Sequence, residues 1–152
     1  MAVAPLVTRE DLRLRLASFA PRHADAVAAW APTPEALRWL APSTSFPLTA
    51  SGVCAWHRPH TRAFVLLTRL GAGPLGYGEI NPMKADPRHF WLGHIVVDPR
   101  LRGRGLGRVL VQRLLDVARF EYRATRVSLI VFPENRGAIR CYESAGFDRA
   151  GD

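Results

Sequence analysis

An α/β (α+β) protein built on one mixed sheet flanked by helices is what three features of the sequence predict. The first is length: 152 residues suffice for a single domain, residues 1–152, burying roughly 68–70% of its unfolded surface around one core. The second is the order of apolar periodicities in the second half, which runs strand, helix, strand, helix. The third is an ordinary globular balance of 48% hydrophobic and 22% charged residues, which excludes disordered and collagen-like chains.

The elements follow in order. Leu12, Leu14 and Leu16 alternate with Arg13 and Arg15, the period-two pattern of a half-buried strand. Pro21 opens a helical stretch through Ala31, with Ala24, Val27, Ala28 and Ala31 at helical spacing. Prolines at 32, 34, 42 and 47 divide what comes next, leaving a short helix over Glu35–Leu40 and another capped by Thr49 and running to Trp56. Ala63–Arg69 and Leu75–Ile80 are strands separated by a Leu70-Gly-Ala-Gly-Pro74 turn. Phe90–Val97 is a further strand, ending at Asp98-Pro99. Leu106, Val109, Leu110, Leu114, Val117 and Phe120 define one amphipathic helix. Val127–Phe132 reads as a continuous buried strand. Asn135–Ala145 is the last helix, with Gly146 at its C-terminal cap.

No apolar run approaches the roughly 18 residues of a membrane span. The opening Met-Ala-Val-Ala-Pro-Leu-Val has no basic lead-in and passes directly into Thr8-Arg9-Glu10-Asp11, which is not the pattern of a secretory signal. Cys54 and Cys141 supply neither a disulfide framework nor a zinc site, and Cys54 with His57 and His60 lacks ligand spacing, so no metal is expected. These features predict a soluble cytoplasmic domain without a membrane partner. Basic residues outnumber acidic ones 21 to 13, for a net charge of +8, which favours an anionic partner.

The arginines concentrate in Asp98-Pro99-Arg100-Leu101-Arg102-Gly103-Arg104-Gly105-Leu106-Gly107-Arg108, between a strand and a helix. Glycines there let the backbone approach a ligand, and the first amides of a helix can hold phosphate oxygens. The segment is therefore a candidate pyrophosphate cradle. It is not a P-loop, since Gly-x-x-x-x-Gly-Lys-Ser/Thr is absent, and it misses the dinucleotide spacing Gly-x-Gly-x-x-Gly.

The spacing Arg102-x-x-Gly105-x-Gly107 resembles the acyl-CoA loop of the GNAT N-acetyltransferase superfamily. A second run, Phe132-Pro133-Glu134-Asn135 with Ala138, Tyr142 and Gly146-Phe147, is similar to that family's closing motif. The resemblance covers about residues 10–147. It implies a sheet splayed between the strands at 90–97 and 126–132, with acetyl-CoA in the gap. Backbone groups of Ile95, Val96 and Val97 would pair with the pantetheine arm. Amides of Arg102, Gly103, Arg104, Gly105, Leu106, Gly107 and Arg108 would take the pyrophosphate. Asn135 would contact the pantetheine or the incoming amine, and Tyr142 would protonate the leaving thiolate, so the implied activity is direct acetyl transfer to a primary amine of a protein N-terminus or a small molecule.

The chain departs from the family pattern in two places. Many relatives carry a glutamate early in the fourth strand, where this sequence has Trp91; Glu79, acting through a water, and His94 are the candidate bases. Deprotonating a lysine amine at pH 7 costs about 4.6 kcal/mol, against about 1 kcal/mol for an α-amine, so a weak base favours an acceptor of low pKa. Few residues follow Phe147, so the final strands are truncated, lost, or replaced by a partner copy in a homodimer. Cys141 beside Tyr142 lacks the orienting partners of a cysteine nucleophile. Trp30, Trp39, Trp56 and Trp91 are expected in the core or on a pocket wall. Two rival readings stand beside the enzyme: a catalytically inactive acyl-CoA-binding protein of the same fold, and a nucleic-acid binder driven by the +8 charge, which lacks aromatics interleaved with its arginines.

Overall fold

The computed structural model describes residues 14–68 and 73–150. Strand β1 (Leu14–Ser18) leads into helices α1 (Ala24–Ala29), α2 (Pro34–Leu40) and α3 (Ala50–Cys54). Strands β2 (Arg62–Thr68), β3 (Pro74–Pro82) and β4 (His89–Val97) follow, then α4 (Leu106–Asp116), β5 (Arg126–Ser128) and α5 (Arg136–Ser144). The sheet runs in chain order β1 to β5. Its pairs are antiparallel except β4 with β5, which are parallel.

Period-two alternation sorts the strand side chains into two cores. Val65 and Tyr77 join Val27, Trp30, Leu37 and Val53 on the face covered by α1–α3. Leu66, Ile80 and Leu92 join Leu110, Val111 and Leu114 of α4 on the other. Helix α4 lies so close to β3 that a Cβ on Gly78 would stand 2.6 Å from Leu114 Cδ1. That glycine is required by packing rather than by a turn.

Local chemistry sets most boundaries. Thr33 accepts the Ala36 amide and Thr49 the Gly52 amide, each closing the start of a short helix. The first helix is shorter than its predicted span. Pro21–His23 form a single 3₁₀ turn, tied by the Ala20 amide donating to His23 Nδ1, and the α-helix ends at Ala29. Helix α3 likewise ends at Cys54, not Trp56. Leu12, Arg13 and most of the predicted turn after β2 lie outside the described residues, although β2 and β3 pair as a hairpin requires.

Two expectations are corrected. The amphipathic helix does not continue regularly to Phe120: after Asp116 it widens into a π turn, Val117–Glu121. The wider turn rotates the apolar stripe, so Ala118 is buried while Phe120 is 73% exposed. The continuous buried strand Val127–Phe132 is also wrong. Only Arg126–Ser128 pair with β4, opposite His89–Trp91, and Ile130 is 96% exposed. The cause is a bulge in β4. Tyr77 pairs with Val96 and Glu79 with Gly93, so Gly78 alone faces His94 and Ile95. A bulge bends its strand, and β5, pinned to β4 by His89 Nε2 at 2.7 Å from Ser128 Oγ, does not follow the bend.

Candidate active site

The divergence of β4 from β5 opens a cleft of about 720 Å³. Ile95, Val96 and Val97 form one wall, and Ile130 and Val131 stand opposite. Past Trp91 the edge of β4 has no ladder partner in β5, so a ligand's amide groups can take the place of a strand.

The arginine–glycine loop closes the cleft at the N-terminus of α4. Gly105, the helix N-cap, sits at φ 77° and Gly103 at φ 79°, left-handed values that a side chain resists. Arg102, Gly103, Gly105, Leu106, Gly107 and Arg108 all line the cleft, whereas Arg104 is exposed and does not. Arg100 is occupied differently: it forks onto Asp98, with Nη2 2.8 Å from Oδ2 and its amide donating to Oδ1. The Arg100 hydrogen bonds hold the buried Asp98 carboxyl below the usual carboxylate range, so this pair braces the loop.

Asn135, Ala138, Cys141 and Tyr142 of the last helix complete the wall. Asn135 Oδ1 accepts the Ala138 amide at 3.3 Å, so the residue caps α5 while facing the cleft. Gly146, at φ 105°, ends the helix, and the Phe147 amide returns to the Tyr142 carbonyl. This turn sets Phe147 edge-on against the Tyr142 ring at 6.4 Å. Burial pushes the Tyr142 phenol up to about 12, so it keeps its proton at neutral pH. Burial also pushes the Cys141 thiol up, the opposite of what an activated nucleophile needs.

Glu79 and His94, separate candidates in the sequence, are joined. Both Glu79 oxygens lie 2.9 Å from His94 Nδ1, and the Tyr77 hydroxyl donates to Oε2 at 2.6 Å. Glu79 is 1% exposed, which leaves little access for the water expected to relay its action. His57 Nε2 stands 2.9 Å from the Tyr77 oxygen. Burial lowers the His57 pKa and raises that of Tyr77.

Sequence reasoning missed most of the wall supplied by α2. Thr33, Glu35 and Ala36 face the cleft beside Trp39, the member of this wall that the sequence did anticipate, as does Arg140 of α5. Arg38 places its guanidinium 4.7 Å from the centre of the Phe132 ring and 3.8 Å from Glu134, holding α2 to the segment before α5. Apolar periodicity reports that a helix has an inner face, not that part of that face borders a gap. Trp30 is buried at the cleft, Trp39 lines it, and Trp56 packs on His94; Trp91, 36% exposed, belongs to neither core.

A mixed sheet split beside a glycine-rich helix start is the architecture of the acyl-CoA N-acyltransferases. The chain belongs to the acetyltransferase (GNAT) family, whose model matches residues 25–147. It is 38% identical to the N-alpha-acetyltransferase RimI of Mycobacterium tuberculosis over 84 residues, 55% of this chain and 51% of that protein. It is 34% identical to an aminoglycoside N(6')-acetyltransferase type 1 of Klebsiella pneumoniae over 95 residues, 56% of this chain and 47% of that one. The chain thus spans about half the length of these curated relatives. Its fold matches spermidine N-acetyltransferase from Vibrio cholerae in complex with CoA and spermine, with a TM-score of 0.76, 20% identity, and coverage of 92% of this chain and 83% of that one.

Proposed function

We propose that the protein transfers the acetyl group of acetyl-CoA directly to a primary amine, either the N-terminus of a protein or peptide or an amine on a small molecule. The observation that carries this is the unpaired edge of β4 running into the glycine–arginine helix start, one surface suited to an amide-bearing arm and its pyrophosphate. Solved relatives bear CoA at 20% to 21% identity, and curated relatives are named as N-alpha-, aminoglycoside and spermine/spermidine acetyltransferases.

In this reading Ile95, Val96 and Val97 hold the pantetheine by their backbone. The amides from Arg102 to Arg108, with the Arg102 and Arg108 side chains, hold the pyrophosphate, and Asn135 contacts the pantetheine or the incoming amine. The amine nitrogen bonds to the thioester carbon, the carbon–sulfur bond breaks, and Tyr142 gives its proton to sulfur. A base drawn from Glu79 and His94 takes the proton that leaves nitrogen. The use of acetyl-CoA as donor favours a cytoplasmic setting; among the described residues no helix is long and apolar enough to cross a membrane.

Calorimetric titration with acetyl-CoA, repeated on an Arg102→Ala/Gly105→Glu variant, tests the cofactor site. Saturable binding that vanishes in the variant is the expected result. Absence of binding to the intact protein at moderate salt would overturn the reading. Binding without thiol release across a panel of amines would instead favour an acyl-CoA-binding protein without turnover.

A further inference from the structure

We propose that His94 is the general base of the acetyl transfer and that Glu79 is its positioning residue. The assignment rests on the acetyltransfer reading above and divides between two residues a role that the sequence left to either one.

The backbone supplies the first argument. His94 has φ 46°, a left-handed value uncommon outside glycine and costly for a residue with a Cβ. It occupies the β4 bulge, where Gly78 faces both His94 and Ile95. Without the extra residue, the side chain following Gly93 would point toward α4. With it, the imidazole meets Glu79, on the opposite face of the sheet. Bulges recur where a strand re-aims a side chain beside an active site, and Ile95, the next residue, lines the cleft.

The imidazole ring is also held from two sides. Trp56 stacks on it, with centroids 4.1 Å apart and planes 14° from parallel. The tryptophan is itself fixed by its Nε1, which donates to Thr44 Oγ1 at 2.9 Å. Glu79 faces Nδ1 with both oxygens, and the Tyr77 hydroxyl holds Glu79. Among the described residues, the titratable groups facing this unit are Glu79 and Tyr77 from β3, Cys54 of α3 and His57 from the turn after it. A carboxylate on Nδ1 sets the tautomer, leaves Nε2 for the substrate, and stabilises the imidazolium that forms when Nε2 takes a proton.

Exposure divides the roles. The Glu79 side chain is 1% exposed and that of His94, which stands one residue before the cleft wall at Ile95, is 22% exposed, so solvent reaches the imidazole and not the carboxylate. The neutral amine nitrogen bonds to the thioester carbon and its proton passes to His94 Nε2. The carbon–sulfur bond breaks and the Tyr142 proton passes to sulfur, giving an amide and free CoA. The imidazolium then releases its proton to solvent, and the Tyr142 phenolate regains one.

The test uses the full chain with His94→Gln and Glu79→Gln. Thermal unfolding and acetyl-CoA titration serve as controls. Thiol release is followed with a peptide bearing a free α-amine, with spermidine and with kanamycin, and the acceptor turned over fastest carries the comparison. His94→Gln is expected to lose about 10²–10⁴-fold in kcat with acetyl-CoA affinity unchanged. Its deficit should shrink as pH rises and solvent supplies the neutral amine. Glu79→Gln should lose less. Nitrogen NMR of ¹⁵N-histidine-labelled protein should show neutral His94 protonated on Nδ1, and Glu79→Gln should move that proton.

Bound acetyl-CoA and rapid turnover in a folded His94→Gln protein would overturn the base assignment alone. A neutral His94 protonated on Nε2 would overturn the positioning role. Intact protein that neither binds acetyl-CoA nor releases thiol would overturn the acetyltransfer reading and the base assignment with it.

Discussion

Tyr142 shows how one side chain's surroundings select its chemistry. A phenol pushed up to about 12 by burial keeps its proton throughout the neutral range, which the proposed role as acid for a leaving thiolate requires. Tyr142→Phe should lower kcat by about a hundredfold or more while acetyl-CoA binds as before, which steady-state kinetics beside calorimetry would show. The raised value also bears on stability. The unfolded phenol ionises near pH 10 and the folded one near 12, so the stabilisation from burying it is complete below about pH 10 and is lost as pH rises toward 12. Burial raises Tyr77 too, adding to the same alkaline loss. Urea midpoints should therefore fall between about pH 10 and 12, and fall less steeply in Tyr142→Phe. Equal slopes in the two proteins would contradict the burial argument.

Elements were legible where one local rule acted without competition. Thr49 caps the helix that its position announces, and Leu106, Leu110 and Leu114 of the predicted stripe are buried. The strand at 127–132 misled because its apolar run signals burial only where a neighbour exists. The neighbour turns away at His94, and nothing in the residues around position 94 announces a bulge. The placement of the glycine–arginine loop and Tyr142 on one cleft could be expected from spacing, since each sits at a helix whose position nearby backbone sets. The union of Glu79 with His94 could not, because it depends on register between strands. Gly78 is a similar case, ordinary in sequence and constrained in space. Gly78→Ala would force a Cβ to within 2.6 Å of Leu114 Cδ1, and overpacking of this kind costs about 1–3 kcal/mol. Equilibrium urea unfolding should register that loss. Adding Leu114→Ala should recover part of it, because the two changes share one contact and are not additive.

At the scale of the whole molecule, the question is how a net charge of +8 acts at one site. Arg102, Arg108 and Arg140 line the cleft, while Arg100 is held by Asp98 and Arg38 packs on Phe132. In the proposed function the excess charge would serve the molecule in two ways, as a general field and as a local cradle, and salt separates them. Ions screen exposed charges beyond about 10 Å at 0.1 M, whereas hydrogen bonds from the amides at the start of α4 to pyrophosphate survive such screening. Raising salt from 0.05 to 0.5 M should weaken acetyl-CoA binding by about tenfold or less, the order expected when a few exposed cations meet a small anion. Association with duplex DNA, driven by counterion release from many phosphates, should collapse by orders of magnitude over the same range. Arg102→Ala should flatten the acetyl-CoA salt dependence, because it removes a cation at the cradle. Removing the exposed Arg104 should slow association without changing the bound geometry. Stopped-flow association rates with calorimetric affinities at several salt concentrations would decide the matter. Equal salt slopes for acetyl-CoA and DNA would show that the field, and not the shaped loop, holds the anion.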